Sequence, residues 1–195
     1  NDDGRITGLE VDLHARCGNS IDQSIEVLAR AAFHIDNCYY LEHLRATCHH
    51  WKTNTVSAVA FRGFGTPQGF LLIESIIDRI ARHLGRDPLA VRKTNFYGGD
   101  GRDTTPFNAL IPHATLHRLV EEIELSSGFA LRRQAIDAFN ATSPILKKGL
   151  ALTPIKYGCG FGVTFLNQGG ALLHVYKDGS LHLNHGGTEM GQGLH

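Results

Sequence analysis

The stretch AFRGFGTPQG, residues 60–69, joins an apolar run, VSAVAF (56–61), to a segment with the periodicity of a long helix. It sets one arginine, Arg62, among three glycines and a proline at that junction. Glycine at such a place lets the backbone enter the left-handed region, or lets another group come within reach of its N–H groups. An arginine fork beside those N–H groups suits a phosphate or another oxyanion. The spacing, however, is G-x-G-x-x-x-G, Pro67 removes an N–H from the helix start, and no Gly-Lys-Ser/Thr follows. A dinucleotide fingerprint is therefore only superficially matched, and a P-loop is not written here.

The flanking pattern is legible. Pro67 fits the first turn of a helix, where its missing N–H costs nothing, and the helix QGFLLIESIIDRIARHLG should stop at Gly85. Asp87-Pro88 starts a shorter, capped helix. Upstream, residues 5–15 alternate as a half-buried strand does, with Ile6, Leu9, Val11 and Leu13 apolar. Ser20 or Asp22 then offers an N-cap to a helix whose apolar residues Ile25, Leu28, Ala29, Ala32 and Phe33 follow helical spacing, with Arg30 in its second half. Residues 53–61 are β-branched and read as a second strand, after a mixed stretch. Residues 116–125 and 130–139 read as amphipathic helices with solvated charged faces. From Lys148 on, KGLALTPIKYG, CGFGVTFLNQGG and ALLHVYKDGSLHLNHGG read as strands, with Lys177-Asp178-Gly179-Ser180 as a hairpin turn. Helices followed by strands argue an α+β fold, mixed sheets with packed helices. We expect a first part over 1–145 and a β-rich second part over 146–195.

Composition narrows the function. The 195 residues are 42% apolar, with 19 basic against 19 acidic side chains. That allows a buried core and gives no net charge to draw nucleic acid or an anionic membrane as the main partner. No apolar run approaches the ~20 residues of a membrane span, and NDDGRITG holds no signal-peptide h-region, so a cytoplasmic location is expected. Cys17, Cys38, Cys48 and Cys159 show no C-x-x-C pair and no zinc spacing, and read as buried reduced thiols. Cys48, His49 and His50 are adjacent, so their side chains diverge on a strand or helix and converge on one ion only in a special loop. A strand entered in mid-sheet and a close at GQGLH lead us to expect a segment of a larger polypeptide, continuing at both ends.

Two further segments are punctuated by glycine. GGTEMGQG, residues 186–193, has four glycines in eight positions, which neither strand nor helix favours. A tight bend with Met190 filling a core gap, and close backbone approach to a bulky ligand, are both open readings. CGFGVTFLNQGG, residues 159–170, sets Phe161 and Phe165 four apart, on one strand face. Together AFRGFG…PQG and FLNQGGALLHVYKDGSLHLNHGGTEMGQGLH, with ARAAFHIDNCYY and DPLAVRKTNFYGGDG, resemble the molybdenum-binding part of the xanthine dehydrogenase/oxidase family, the molybdenum hydroxylases. The resemblance covers most of the chain, and HGGTEMGQGLH is a long and specific motif.

The resemblance implies a segment of the molybdopterin-binding domain and roles for particular positions. Arg62 would lie at the molybdenum centre beside the pterin dithiolene, near the metal without ligating it, with Phe61 and Gly63 in the same cofactor-binding loop. Phe64 and Phe161 would sandwich a flat purine ring, with Gly162 at the next substrate position. Met190, Gly191 and Gln192 would contact the pterin, glycine leaving main-chain N–H groups open to it. Arg30, in LARAAFHIDN, would orient the purine and stabilise negative charge developing on it; related aldehyde oxidases generally lack this arginine. The implied reaction is molybdenum-dependent hydroxylation of hypoxanthine or xanthine to urate, assisted by a glutamate general base. Electrons would leave through two 2Fe-2S clusters and FAD to NAD+ or oxygen. In the family that glutamate lies beyond GQGLH, so the base is not in this chain and Glu189 is not that base. The clusters and FAD would sit on partner subunits or other segments, in a hetero-oligomer or a dimer of such units.

Gly162 stands where the family usually has threonine, and Thr66 where GFGGPQG has glycine. Another N-heterocycle is therefore an open substrate, whereas Arg30 argues against an aldehyde. A catalytically incomplete, cofactor-cradling piece is the alternative to an enzyme.

Overall fold

A computed structural model describes residues 1–99, 101–111, 115–158, 160 and 164–194, the side chain of Leu166 excepted. They form two compact units, Asn1–Tyr157 and Gly158–His195.

The first unit is built on a strand-helix-strand crossover. β1 (Gly8–Gly18) and β2 (His43–Lys52) pair in parallel, Gly8 opposite His43 and Arg16 opposite Trp51. Leu9, Val11, Leu13 and Ala15 are half-buried while the residues between them are exposed, as the alternation requires. Parallel neighbours need a crossover, and α1 (Ser24–Phe33) supplies it, packing on both strands and on α2 (Thr66–Leu84). α2 buries Ile73, Ile77 and Ala81 at helical spacing and closes on Gly85, whose φ of 63° is left-handed. α3 (Pro88–Asn95) is capped by Asp87, which accepts from the N–H of Leu89 at 2.8 Å and of Ala90 at 3.3 Å. α4 (Leu116–Ser127) and α5 (Phe129–Thr142) complete the unit, with Gly128 as the hinge residue between them. Ile35, Tyr39, Ile73, Ile77, Val91 and Phe96 form the centre of the core.

Three expectations are corrected here. The second strand is the mixed stretch His43–Lys52, not residues 53–61. Its polar side chains hide the alternation because they pair across the sheet: His14 and His49 stack with centroids 4.5 Å apart, and Trp51 Nε1 donates to His14 Nδ1 at 2.9 Å. Residues 53–61 instead run irregularly past the end of β1, with the Ala58 N–H donating to the Cys17 carbonyl and the Asn19 N–H to the Thr55 carbonyl, each at 3.0 Å. Neither Ser20 nor Asp22 caps α1; Gln23 holds the cap position without a side-chain bond, and the Ser20 hydroxyl pairs with that of Ser57.

The third correction concerns the segment after Lys148. Residues 148–157 form no strand. Part of their polar backbone is met by side chains: Asn37 donates to the Pro154 carbonyl at 3.2 Å and accepts from the Lys156 N–H at 3.2 Å, and Asn140 donates to the Lys148 carbonyl at 2.9 Å and accepts from its N–H at 2.8 Å. Thr164–Leu166 is a single 3-10 turn, so Phe165 is not on a strand, and Phe161 lies outside the described residues. Among its described residues the strands of the second unit are those of the hairpin, β3 (Ala171–Val175) against β4 (Leu181–His185), antiparallel with Leu173 opposite Leu183. Its turn is the expected one: Gly179 has φ 84°, and the Asp178 carboxylate accepts from the Ser180 N–H at 3.0 Å and hydroxyl at 2.7 Å. The fold is thus α+β, with one parallel and one antiparallel sheet among the described residues.

The motifs HIDNCYY and RKTNFYGG meet inside the first unit as a polar network. Glu74 Oε1 accepts from the Tyr39 hydroxyl at 2.5 Å and from Asn37 at 3.0 Å, and its Oε2 accepts from Arg92 Nε at 2.8 Å. Arg92 is only 3% exposed and reaches Asp78 at 3.0 Å as well. Asp36 accepts from the Tyr97 hydroxyl at 2.6 Å and from Lys156. Burial first, then the neighbouring carboxylates, push both phenols far above their ordinary range, so Tyr39 and Tyr97 remain donors. Among the described residues no helix is long and apolar enough to cross a membrane.

Candidate cofactor and substrate site

The loop that enters α2 holds three successive residues in the left-handed region, Gly63 (φ 102°), Phe64 (51°) and Gly65 (94°). An aromatic residue at positive φ is uncommon. Two short-range bonds hold it there, from the Phe64 N–H to the Phe61 carbonyl at 2.8 Å and from the Thr66 N–H to the Gly63 carbonyl at 3.0 Å. The glycines have a second reason. A Cβ on Gly65 would stand 1.9 Å from the Val27 carbonyl oxygen, and one on Gly69 would stand 2.5 Å from that of Ala31. At these two positions glycine serves the contact of α2 with the α1 backbone, not the approach of a ligand.

That contact carries Arg30 to the loop, since Val27 and Ala31 flank it on α1. Arg30 is half-buried, so it is not a helix-surface arginine. Its Nε donates to Thr66 Oγ1 at 3.3 Å, and its guanidinium lies over the Tyr157 ring, 5.3 Å from the centroid. His34 Nδ1 donates to the Arg30 carbonyl at 3.0 Å, and burial holds this imidazole below its ordinary pKa. Phe64 is half-buried, whereas Arg62 is exposed and Phe61 is 80% exposed. Arg30, Phe64, Gly63, Arg62 and Phe61 are thus brought to one short loop. Thr66 is visible in the sequence only as a departure from a motif, and Tyr157 gives no signal there at all.

In the second unit, GGTEMGQG wraps around its own acid. The Glu189 carboxylate accepts from the N–H groups of Gly191, Leu194 and Gly193, the last at 3.2 Å. Gln192 Oε1 accepts from the Met190 N–H at 2.6 Å and its Nε2 donates to the Thr188 carbonyl at 2.6 Å. The loop therefore gathers several N–H groups on one anion, a nest of the kind that also receives phosphate. These bonds, that from Leu194 foremost, hold the Glu189 acid below the usual carboxylate range. A carboxylate so engaged is a poor proton acceptor. Met190 is 56% exposed, so it fills no core gap. Phe161 and Gly162 lie outside the described residues.

Among the described residues, no group of three or more His, Cys, Asp or Glu side chains could hold a metal ion. In the first unit, a loop bearing Arg62 beside an exposed aromatic fits a flat, anionic group, and in the second unit, taken by itself, the nest of N–H groups is able to close on an anion.

Known proteins bear on the same residues. Two family models, each described as a molybdopterin cofactor-binding domain, match residues 1–96 and 122–195. The xanthine dehydrogenase/oxidase of Felis catus is 46% identical over 98% of the chain, and xanthine dehydrogenase 1 of Arabidopsis thaliana is 42% identical over 99%. The chain spans 14% of the length of each. The aldehyde oxidoreductase of Desulfovibrio desulfuricans matches 73% of this chain and 15% of its own with a TM-score of 0.63; at 24% identity this is a likeness of fold alone. The first family match takes in Arg30 and the whole arginine-glycine loop, and the second takes in the Glu189 nest. With both glycine loops inside matches to molybdopterin cofactor-binding domains, this chain belongs to the molybdenum-cofactor-binding part of the xanthine dehydrogenase/oxidase family of molybdenum hydroxylases.

Proposed function

We propose that the chain forms part of the catalytic site of a xanthine dehydrogenase-type molybdenum hydroxylase that converts hypoxanthine or xanthine to urate. The observation that carries the purine reading is Arg30, half-buried and anchored at the loop that bears Phe64 and Arg62. A fixed guanidinium in a sheltered site stabilises negative charge spreading over an electron-poor ring, and does so without reorganising. Phe64, with Phe161 and Gly162, would receive the flat ring. Phe61, Arg62, Gly63, Met190, Gly191 and Gln192 would hold the pterin, with Arg62 near the molybdenum but not ligating it. Gln192 and the Gly191 N–H would exchange their present bonds within the loop for contacts to the cofactor. The cofactor supplies the oxidising centre at which a ring carbon is hydroxylated; the chain's residues bind and orient.

The remaining parts of the reading lie outside this chain. A glutamate general base, two 2Fe-2S clusters and FAD, passing electrons to NAD+ or oxygen, would come from other segments or subunits of a cytoplasmic assembly, a hetero-oligomer or a dimer. The division into parts over 1–145 and 146–195 belongs to the same proposal. Gly162 in place of a threonine favours one second reading, a different N-heterocycle as substrate.

The test is metal analysis with a xanthine turnover assay on the native enzyme that contains this chain. Molybdenum with urate formation supports the proposal, molybdenum without xanthine turnover moves it to another heterocycle, and active material without molybdenum refutes it. Arg30→Met should lower purine turnover by about 100-fold and spare an aldehyde substrate; equal losses would remove Arg30 from this role.

A further inference from the structure

If Arg30 orients the substrate, something must orient Arg30. A free arginine side chain carries about 2 kcal/mol of rotamer entropy, and a site works only when such a group is held by its surroundings. The guanidinium is planar, so a bond at Nε fixes the plane of the whole fork, both Nη groups included. In this chain that bond goes to Thr66 Oγ1 at 3.3 Å. Thr66 is well placed to give it. It is 1% exposed, it is the first residue of α2, and its N–H is tied to the Gly63 carbonyl at 3.0 Å. Threonine is also stiff at χ1 because of its β-branch. The Tyr157 ring, 5.3 Å from the guanidinium carbon, gives the fork a second contact.

We propose that Thr66 is a positioning residue for substrate selection: its buried hydroxyl sets the guanidinium plane of Arg30. This rests on the reading that Arg30 faces a purine. Position 66 is glycine in the related motif, and glycine has no hydroxyl, so the anchor belongs to this chain and not to the motif. It adds a fixed hydroxyl beside the substrate arginine in a sequence that has Gly162 where a threonine hydroxyl is usual. Selection in this protein thus leans on how rigidly Arg30 is held.

The experiment compares Thr66→Val, Thr66→Ser and Arg30→Met in the complete cofactor-loaded enzyme. Valine keeps volume and branching but removes the hydroxyl, and serine keeps the hydroxyl. The readouts are kcat and KM for xanthine and for an aldehyde, and the Kd of urate by equilibrium titration. Thr66→Val should lower xanthine kcat/KM and raise the urate Kd by about tenfold, the effect of losing a hydrogen bond to a charged group, while aldehyde turnover stays within about twofold. Thr66→Ser should recover most of both losses. Unchanged xanthine kinetics and urate binding in Thr66→Val, with Arg30→Met still selective against purine, would overturn the role of Thr66 and leave that of Arg30 standing. Equal losses on xanthine and aldehyde in Thr66→Val, without rescue by serine, would overturn it too, as a merely structural effect. Equal losses in Arg30→Met would take down the purine reading and this inference together.

Discussion

Replacing Gly69 with alanine sets two physical rules against each other, with opposite signs. Gly69 lies in the first turns of α2, where helix propensity alone favours alanine by ~1 kcal/mol. The new Cβ would stand 2.5 Å from the Ala31 carbonyl oxygen and 3.2 to 3.3 Å from the carbonyl group of His34. All three atoms are backbone, so none can rotate aside, and α1 and α2 must part by nearly 1 Å to restore ordinary contact. Overpacking costs about 1–3 kcal/mol, and an immovable neighbour argues for the upper end. Subtracting the propensity gain leaves a loss of ~2 kcal/mol. Hydrogen exchange followed by mass spectrometry on the complete enzyme reads this locally, because peptides from α1 and α2 report their own opening free energy. The loss corresponds to exchange about 30-fold faster in both helices, at ~1.4 kcal/mol per decade. Gly85→Ala is the control: it has no neighbour within 4 Å, only a left-handed φ of 63°, so its effect should stay at the end of α2. Unchanged or slower exchange in α1 and α2 of the Gly69→Ala enzyme would refute the close-contact argument.

Three further outcomes follow from the buried groups. Glu74→Leu removes the acceptor of Tyr39, Asn37 and Arg92, leaving the buried Arg92 with only Asp78, so unfolding should become easier by ~3 kcal/mol; a loss below ~1 kcal/mol, read from the denaturant midpoint, would mean water already screens the network. Cys38 is buried, and burial pushes its thiol up to about 12, so iodoacetamide at pH 8 should label it only after unfolding; labelling of the native protein at the rate of an exposed thiol would contradict this. His34 is held below its ordinary 6.5 chiefly by burial, so the unfolded chain binds the proton more readily and stability falls as the pH drops through 6.5 toward the lowered folded value. His34→Gln should flatten that slope between pH 7.5 and 5.5, and an unaltered slope would assign it to other groups.

Strong local chemistry in the sequence translated directly into structure. Asp87-Pro88 caps a helix, Gly85 ends one, and Asp178-Gly179 turns a hairpin, because each device acts within four residues and needs no tertiary partner. The strands were harder. β2 is held by cross-strand stacking of His14, His49 and Trp51, and polar side chains that pair across a sheet look like loop residues when read along one strand. Residues 148–157 read as a strand by composition, yet backbone groups of theirs pair with side chains, Lys148 with the nearby Asn140 and Pro154 and Lys156 with Asn37, more than a hundred residues away. The site shows the same division. Arg30, Arg62 and the glycine loops are carried by motifs, so the sequence marks them as candidates; the Thr66 and Tyr157 contacts are set by how α1 meets α2 and the tail of the first unit, which periodicity does not contain.

The glycines that raised the question of an anion turn out to follow two different physical rules. Gly65 and Gly69 are small so that α1 can lie on α2 within a Cβ of its backbone, and the distance they permit is what seats Arg30 against Thr66. In GGTEMGQG no neighbour crowds Gly186 or Gly193, a Cβ on Gly187 would meet the flexible side chains of Leu194 and His185, and glycine gives Gly191 and Gly193 the positive φ that turns successive N–H groups onto one carboxylate. One loop uses glycine for proximity between helices, the other for curvature around a charge. Enlarging a side chain in the first should therefore move Arg30, whereas in the second it should open the nest. On the proposed reading of the site, the seating of Arg30 and the closure of the Glu189 nest would be separable properties, each with its own reason for glycine.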